Sequence, residues 1–246
     1  MPRLEVIVPT EDGSCAASLH TPAEDGARPG VILYADAGGV RETFAAMADR
    51  IAGLGYTVLL PDVYYRTPYT PFDIETVFTD PAESARLHAL YLSVTGPIIA
   101  RDAGAFLDFL AGRDEVSGTA VGTTGYCMGG RESLIAAGHH PDRIVAAAAF
   151  HGGNLAADDD PDSPHLLADR IAATVYVASA ENDEHFPAEQ HERLERSLTA
   201  AGVAHTVETY PAAHGFAVPD NPTYDPAAAD RHWSALAALF ATTLRN

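Results

Sequence analysis

Gly125-Tyr126-Cys127-Met128-Gly129-Gly130 stands between two apolar stretches, Thr119 to Thr124 and Met128 to Ala137. The first reads as a buried strand and the second as a helix, so the chain must turn sharply at Cys127. Such a turn puts the central residue in a strained conformation with its side chain exposed, and flanking glycines let neighbouring backbone come close. The helix start then aims its unpaired N–H groups at the same point, where they can stabilise negative charge on sulfur or on a developing oxyanion. This is the strand–turn–helix setting of a G-x-S-x-G nucleophile elbow, with Cys in place of Ser. Cys15, in a short hairpin strand without flanking glycines, is assigned to packing.

Outward from this turn the chain alternates strands and helices, the mark of a mainly parallel sheet covered on both faces. Leu4 to Val8 and Cys15 to His20 form a hairpin turned at Asp12-Gly13. Strands are read at 30–34, 57–60, 144–150, 174–178 and 204–210. Helices are read at 41–54, 187–201 and 227–244, and 81–112 reads as two helices broken at Gly96-Pro97. Residues 62–80 are irregular and aromatic, with Tyr64, Tyr65, Tyr69, Phe72 and Phe78, and residues 155–165 form an acidic loop. No linker or internal repeat is visible, so residues 1–246 are expected to be a single domain, with 62–100 an irregular and helical segment near the site.

A thiol nucleophile needs a base, and the base needs an orienting group. Asp183 follows the strand 174–178, and His214 follows the strand 204–210, both on loops at strand C-terminal ends, where open parallel sheets place their sites. His185, next to Asp183, is a weaker competitor for His214. A metal site of His185, Asp183 and His214 lacks a helical ligand pair and is not expected.

In these motifs and their order the sequence resembles the dienelactone hydrolase family, cysteine-nucleophile members of the α/β-hydrolase fold. The resemblance runs from the strand at Val31 to the last helix. It rests on Gly-Tyr-Cys-Met-Gly-Gly, on Asp183 with Pro187 four residues later, and on His214-Gly215-Phe216. It implies a triad of Cys127, Asp183 and His214, with backbone donors from Ala37 and Met128 forming an oxyanion hole. The family's thiol-contacting carboxylate, usually Glu, falls at Asp36. One of its substrate-binding arginines falls at Val218, and another lies near Arg86. Tyr64, Tyr65, His151 and Phe216 are further candidates for contact with substrate.

The implied activity is hydrolysis of a lactone or carboxylic ester through a thioester, with no metal or organic cofactor needed. The pair Cys127–His214 either exchanges a proton on attack or rests as thiolate and imidazolium. The alternative is a catalytically silent protein of the same fold whose Cys127 is a sensor or binding thiol.

Composition narrows the partners. Asp and Glu total 34 against 15 Lys and Arg, a net charge of −19, and all fifteen cations are Arg. Such a field disfavours nucleic acid and anionic membrane surfaces. It also favours a neutral ester or lactone over an anionic one. Without Lys, Schiff-base chemistry and Lys-dependent phosphate loops are excluded. Two cysteines are too few for a disulfide framework. No apolar stretch is long enough to span a membrane, and the N-terminus lacks the apolar run of a signal peptide. A cytoplasmic monomer or homodimer is expected.

Overall fold

The computed structural model describes residues 1–77 and 79–245; Phe78, named among the aromatic residues above, lies outside the described residues. Eight strands form one sheet in the order β1-β2-β4-β3-β5-β6-β7-β8. They are β1 Arg3–Thr10, β2 Gly13–His20, β3 Arg28–Tyr34, β4 Thr57–Pro61, β5 Val116–Tyr126, β6 Ile144–Phe150, β7 Thr174–Ala180 and β8 His205–Tyr210. β2 runs antiparallel to β1 and β4, while β4, β3, β5, β6, β7 and β8 are parallel. The expected mainly parallel α/β sheet is thus present.

Alternate residues of the central strands feed two apolar layers, as the period of two requires. Val31 and Leu33 pack with Phe44, Met47 and Ile51 of α1 (Glu42–Gly53) and with Trp233, Leu236 and Phe240 of α6 (Pro226–Thr243). Ile32 and Tyr34 face the other layer, which holds Phe106 and Leu110 of α3 (Gly96–Ala111), Leu134 of α4 (Met128–His139) and Leu194 and Leu198 of α5 (Ala188–Ala200).

The helical segment after the aromatic stretch divides as read, with one adjustment. α2 spans Pro81–Ser93, and Gly96-Pro97 opens α3 rather than lying between the two helices. Proline suits the first turn of a helix, where its missing N–H has no partner to lose. Asp80 caps α2, accepting from the Ala82 and Glu83 N–H groups. The acidic loop is anchored by cations: Arg131 of α4 pairs with Asp160 at 2.6 Å and Arg193 of α5 with Asp158 at 2.5 Å. It runs on into a 3-10 helix, Pro164–Arg170, whose first two residues fall within the 155–165 stretch expected to be loop.

Candidate active site

Cys127 lies between β5 and α4 with φ 54° and ψ −116°, a left-handed φ that only a tightly held turn sustains in a non-glycine residue. The glycines explain how it is held. A Cβ on Gly125 would stand 1.9 Å from the Gly129 carbonyl oxygen, and one on Gly129 would stand 2.4 Å from that of Tyr34. Only bare backbone lets β5, β3 and the start of α4 approach this closely.

The other two members of the expected triad arrive from neighbouring strand ends. Asp183 follows β7; its side chain is 1% exposed, and one carboxylate oxygen accepts the His185 backbone N–H at 2.9 Å. The other oxygen lies 2.7 Å from Nδ1 of His214, on the loop after β8. Burial works against a charged His214, but the adjacent Cys127 and the Asp183 carboxylate outweigh it and push its pKa up to about 10. For Asp183, burial is outweighed in turn by the hydrogen bond to His214, which holds the carboxyl below its ordinary range. With Nδ1 turned to Asp183, Nε2 faces the thiol.

Cys127 and His214 share the wall of a cavity of about 300 Å³ with Asp36, Ala37 and Met128, and with His151, which follows β6. His151 is fully buried with φ 40°, and its ring meets that of His214 at 5.1 Å and that of Phe216 at 5.0 Å. Burial drives its pKa well below the ordinary value, aided by His214 and His232, so it packs as a neutral imidazole. His185 stands on the other side, its ring 5.0 Å from that of His214, and also lines the cavity.

Several expected contacts are replaced by others. Asp36 does line the cavity, but its carboxylate is turned to Arg41, at 2.7 and 2.9 Å, and to the Gly38 N–H at 2.9 Å, not to the thiol. Arg41 lies only five residues on, and the short Asp side chain keeps the carboxylate within its fork. Arg41 also pairs with Asp220, on the loop that carries His214. Arg86 does not enter the cavity: it bonds Glu83 and the Thr70 carbonyl and lies over the Phe72 ring. Tyr65 bonds Thr10 and Asp102, on the side of β1 and α3. Tyr64 is buried beneath the cavity floor, its hydroxyl donating to the Ala37 carbonyl. Val218 and Phe216 are fully buried in the α1/α6 layer, so neither meets a ligand in the cavity.

The opposite wall is built from residues outside the sequence motifs. Ile74, with Leu87, His88 and Tyr91 from one face of α2, lines the cavity, as do Asn154 and Asn221. The signal was present in the i, i+1, i+4 spacing of Leu87, His88 and Tyr91, but it means something only once α2 is placed over the strand ends. No arginine among the described residues lines this cavity. Among the described residues no cluster of three His, Cys, Asp or Glu is arranged to hold a metal ion, and no helix is long and apolar enough to cross a membrane.

A parallel sheet with a strained cysteine after β5, an acid after β7 and a histidine after β8 defines an α/β-hydrolase. The chain belongs to the dienelactone hydrolase family, whose model matches residues 15–244. It is therefore a hydrolase acting on ester or lactone bonds. It is 28% identical to the "Putative carboxymethylenebutenolidase" of a Synechocystis strain, over 98% of this chain and 96% of that one. Among solved structures it is similar to a dienelactone hydrolase-like promiscuous phosphotriesterase from metagenomic libraries, 26% identical, with a TM-score of 0.79 over 99% of each chain. The structure of a "Putative Dienelactone Hydrolase" from Klebsiella pneumoniae shares the fold, with a TM-score of 0.82 at 24% identity over 98% of each chain.

Proposed function

We propose that the chain hydrolyses a neutral carboxylic ester or lactone through a Cys127 thioester. The observation that carries this is the imidazole of His214, placed between the Asp183 carboxylate and the Cys127 thiol in the cavity wall. The Cys127 sulfur attacks the carbonyl carbon, its proton being held by His214 Nε2. The carbonyl oxygen takes up negative charge and is met by the N–H groups of Ala37 and Met128, the second at the unpaired first turn of α4. As the C–O bond breaks, His214 passes its proton to the leaving alkoxide. In a lactone that alkoxide stays attached to the acyl chain. Water then loses a proton to His214, adds to the thioester carbonyl and releases the acid, and the sulfur regains its proton. Asp183 holds the imidazole in the productive tautomer and stabilises its charged form.

A neutral substrate is supported by the absence of arginine from the cavity wall and by the double pairing of Arg41 with Asp36 and Asp220.

The test is a panel of p-nitrophenyl esters and simple lactones, with Cys127→Ala as the variant. Turnover is expected to fall by at least about 10³-fold, and iodoacetamide should inactivate the wild type in step with alkylation of Cys127. If Cys127→Ala keeps full turnover, the thioester route is wrong. If the wild type alkylates readily but hydrolyses nothing in the panel, the silent thiol protein is the better reading.

A further inference from the structure

We infer that Tyr64 is a positioning residue, whose phenol fixes the turn that presents the Ala37 donor. The inference rests on the assignment of Ala37 and Met128 as oxyanion donors.

Asp36 to Gly39 form a β-turn, closed by the Gly39 N–H donating to the Asp36 carbonyl at 2.9 Å. Its central peptide joins Ala37 to Gly38. Type I and type II turns differ by a half-rotation of this one peptide, and glycine at the third position opens type II at little steric cost. Gly38 is not among the glycines with positive φ, so the turn is not of type II.

Both ends of the central peptide are held in that state. The Gly38 N–H donates to the Asp36 carboxylate at 2.9 Å, and the Ala37 carbonyl accepts from the Tyr64 hydroxyl at 2.9 Å. The same hydroxyl oxygen lies 3.3 Å from the sulfur of Met128. One buried group thus touches both residues assigned to the oxyanion hole, although they come from different strand ends.

Tyr64 is in turn held from behind. Its N–H donates to the Asp62 carboxylate at 3.1 Å, and its ring meets Tyr69 edge-on at 5.4 Å. Tyr69 stacks on Phe72 at 6.0 Å, and the Arg86 guanidinium covers Phe72 at 3.9 Å. The aromatic stretch is therefore a brace that runs from the surface to the oxyanion turn. Without the phenol, the Ala37 carbonyl loses this donor, and the central peptide is held from one side only.

The experiment compares wild type, Tyr64→Phe and Tyr64→4-aminophenylalanine on p-nitrophenyl butyrate. It adds inhibition by an alkyl trifluoromethyl ketone, whose adduct with a thiol carries an oxyanion, and alkylation by iodoacetamide, which forms none. For Tyr64→Phe, kcat is expected to fall about 10-fold or more with KM within about twofold, and the ketone Ki to rise by a similar factor. The alkylation rate should stay within about twofold of wild type, since the thiol and His214 are untouched. The 4-amino variant keeps a donor at the same place and should recover to within about threefold of wild type. It reads the contact even if Tyr64→Phe does not fold.

Unchanged kcat in Tyr64→Phe overturns the inference. So does alkylation that falls in step with kcat, or a 4-amino variant as impaired as the Phe variant. If Cys127→Ala is inactive while Tyr64→Phe is fully active, only this inference fails. If Cys127→Ala is itself active, the thioester reading fails with it.

Discussion

Ser18, His20 and Asp49 repeat the contacts of a hydroxyl–imidazole–carboxylate relay: His20 Nε2 lies 2.9 Å from the Ser18 hydroxyl, and Nδ1 lies 2.8 Å from Asp49. Ser18 is 3% exposed and His20 is fully buried, so no carbonyl carbon reaches that hydroxyl. The relay fastens β2 to α1. What separates Cys127 from Ser18 is access, not hydrogen-bond order. A second buried group has a measurable effect. Both carboxylate oxygens of Glu132 are sealed in the core without a hydrogen-bond partner among the described residues, as is the Tyr34 hydroxyl. Burial pushes the Glu132 pKa up to about 8, against the pull of Arg131 and with the help of Asp102. The unfolded chain loses this proton near its ordinary pKa of about 4.3. The folded protein therefore binds one proton more between those values, and its stability falls as pH rises toward 8. Glu132→Leu should flatten that decline and raise Tm at pH 8 by roughly 2–8 °C, as read in thermal melts at pH 5 and pH 8. At this scale the sequence was legible where a residue sits inside a motif, as Cys127, Asp183 and His214 do. It was not legible for Asp36, Tyr64 or Arg86, whose partners are chosen by the distances between loops.

Most elements followed from apolar spacing or from short, fully buried apolar runs such as β3 and β4. Two helices lack a clear stripe: α2, which buries only Leu90 and lies over the strand ends, and α4. The latter is buried on every side from Met128 to Gly138, so only its glycine-flanked start marks it. That start tolerates little change. Gly125→Ala would drive a Cβ into the Gly129 carbonyl, backbone against backbone. It should destabilise the protein by about 3 kcal/mol or more, visible as a lower melting temperature or loss of soluble protein. The segment 62–80 was the least legible. Its aromatic residues fit a cavity wall and packing under a long loop equally well; Tyr64, Tyr69 and Phe72 pack on one another and on the turn at Asp36. Composition names an aromatic cluster but not the surface it leans on.

At the scale of the molecule, a net charge of −19 sets the field in which a substrate arrives. Twelve of the fifteen arginines stand in ion pairs among the described residues, so few cations are left to temper that field locally. For a matched pair of substrates, one neutral and one carrying a carboxylate, kcat/KM should favour the neutral compound at low salt. The gap should narrow between about 20 and 300 mM salt as the field is screened. A rate for the anionic substrate that falls with added salt would show a local positive site instead. The same sheet also sets an order in time. Arg41, paired with Asp36, reaches Asp220 across 179 positions of chain, and His214 comes from the loop behind β8, the edge strand. Contacts of such long sequence separation need the intervening chain already in place. If the proposed mechanism holds, a partly folded chain with Cys127 and Asp183 in place but β8 undocked should be chemically idle, and turnover should appear during refolding only when the far edge docks.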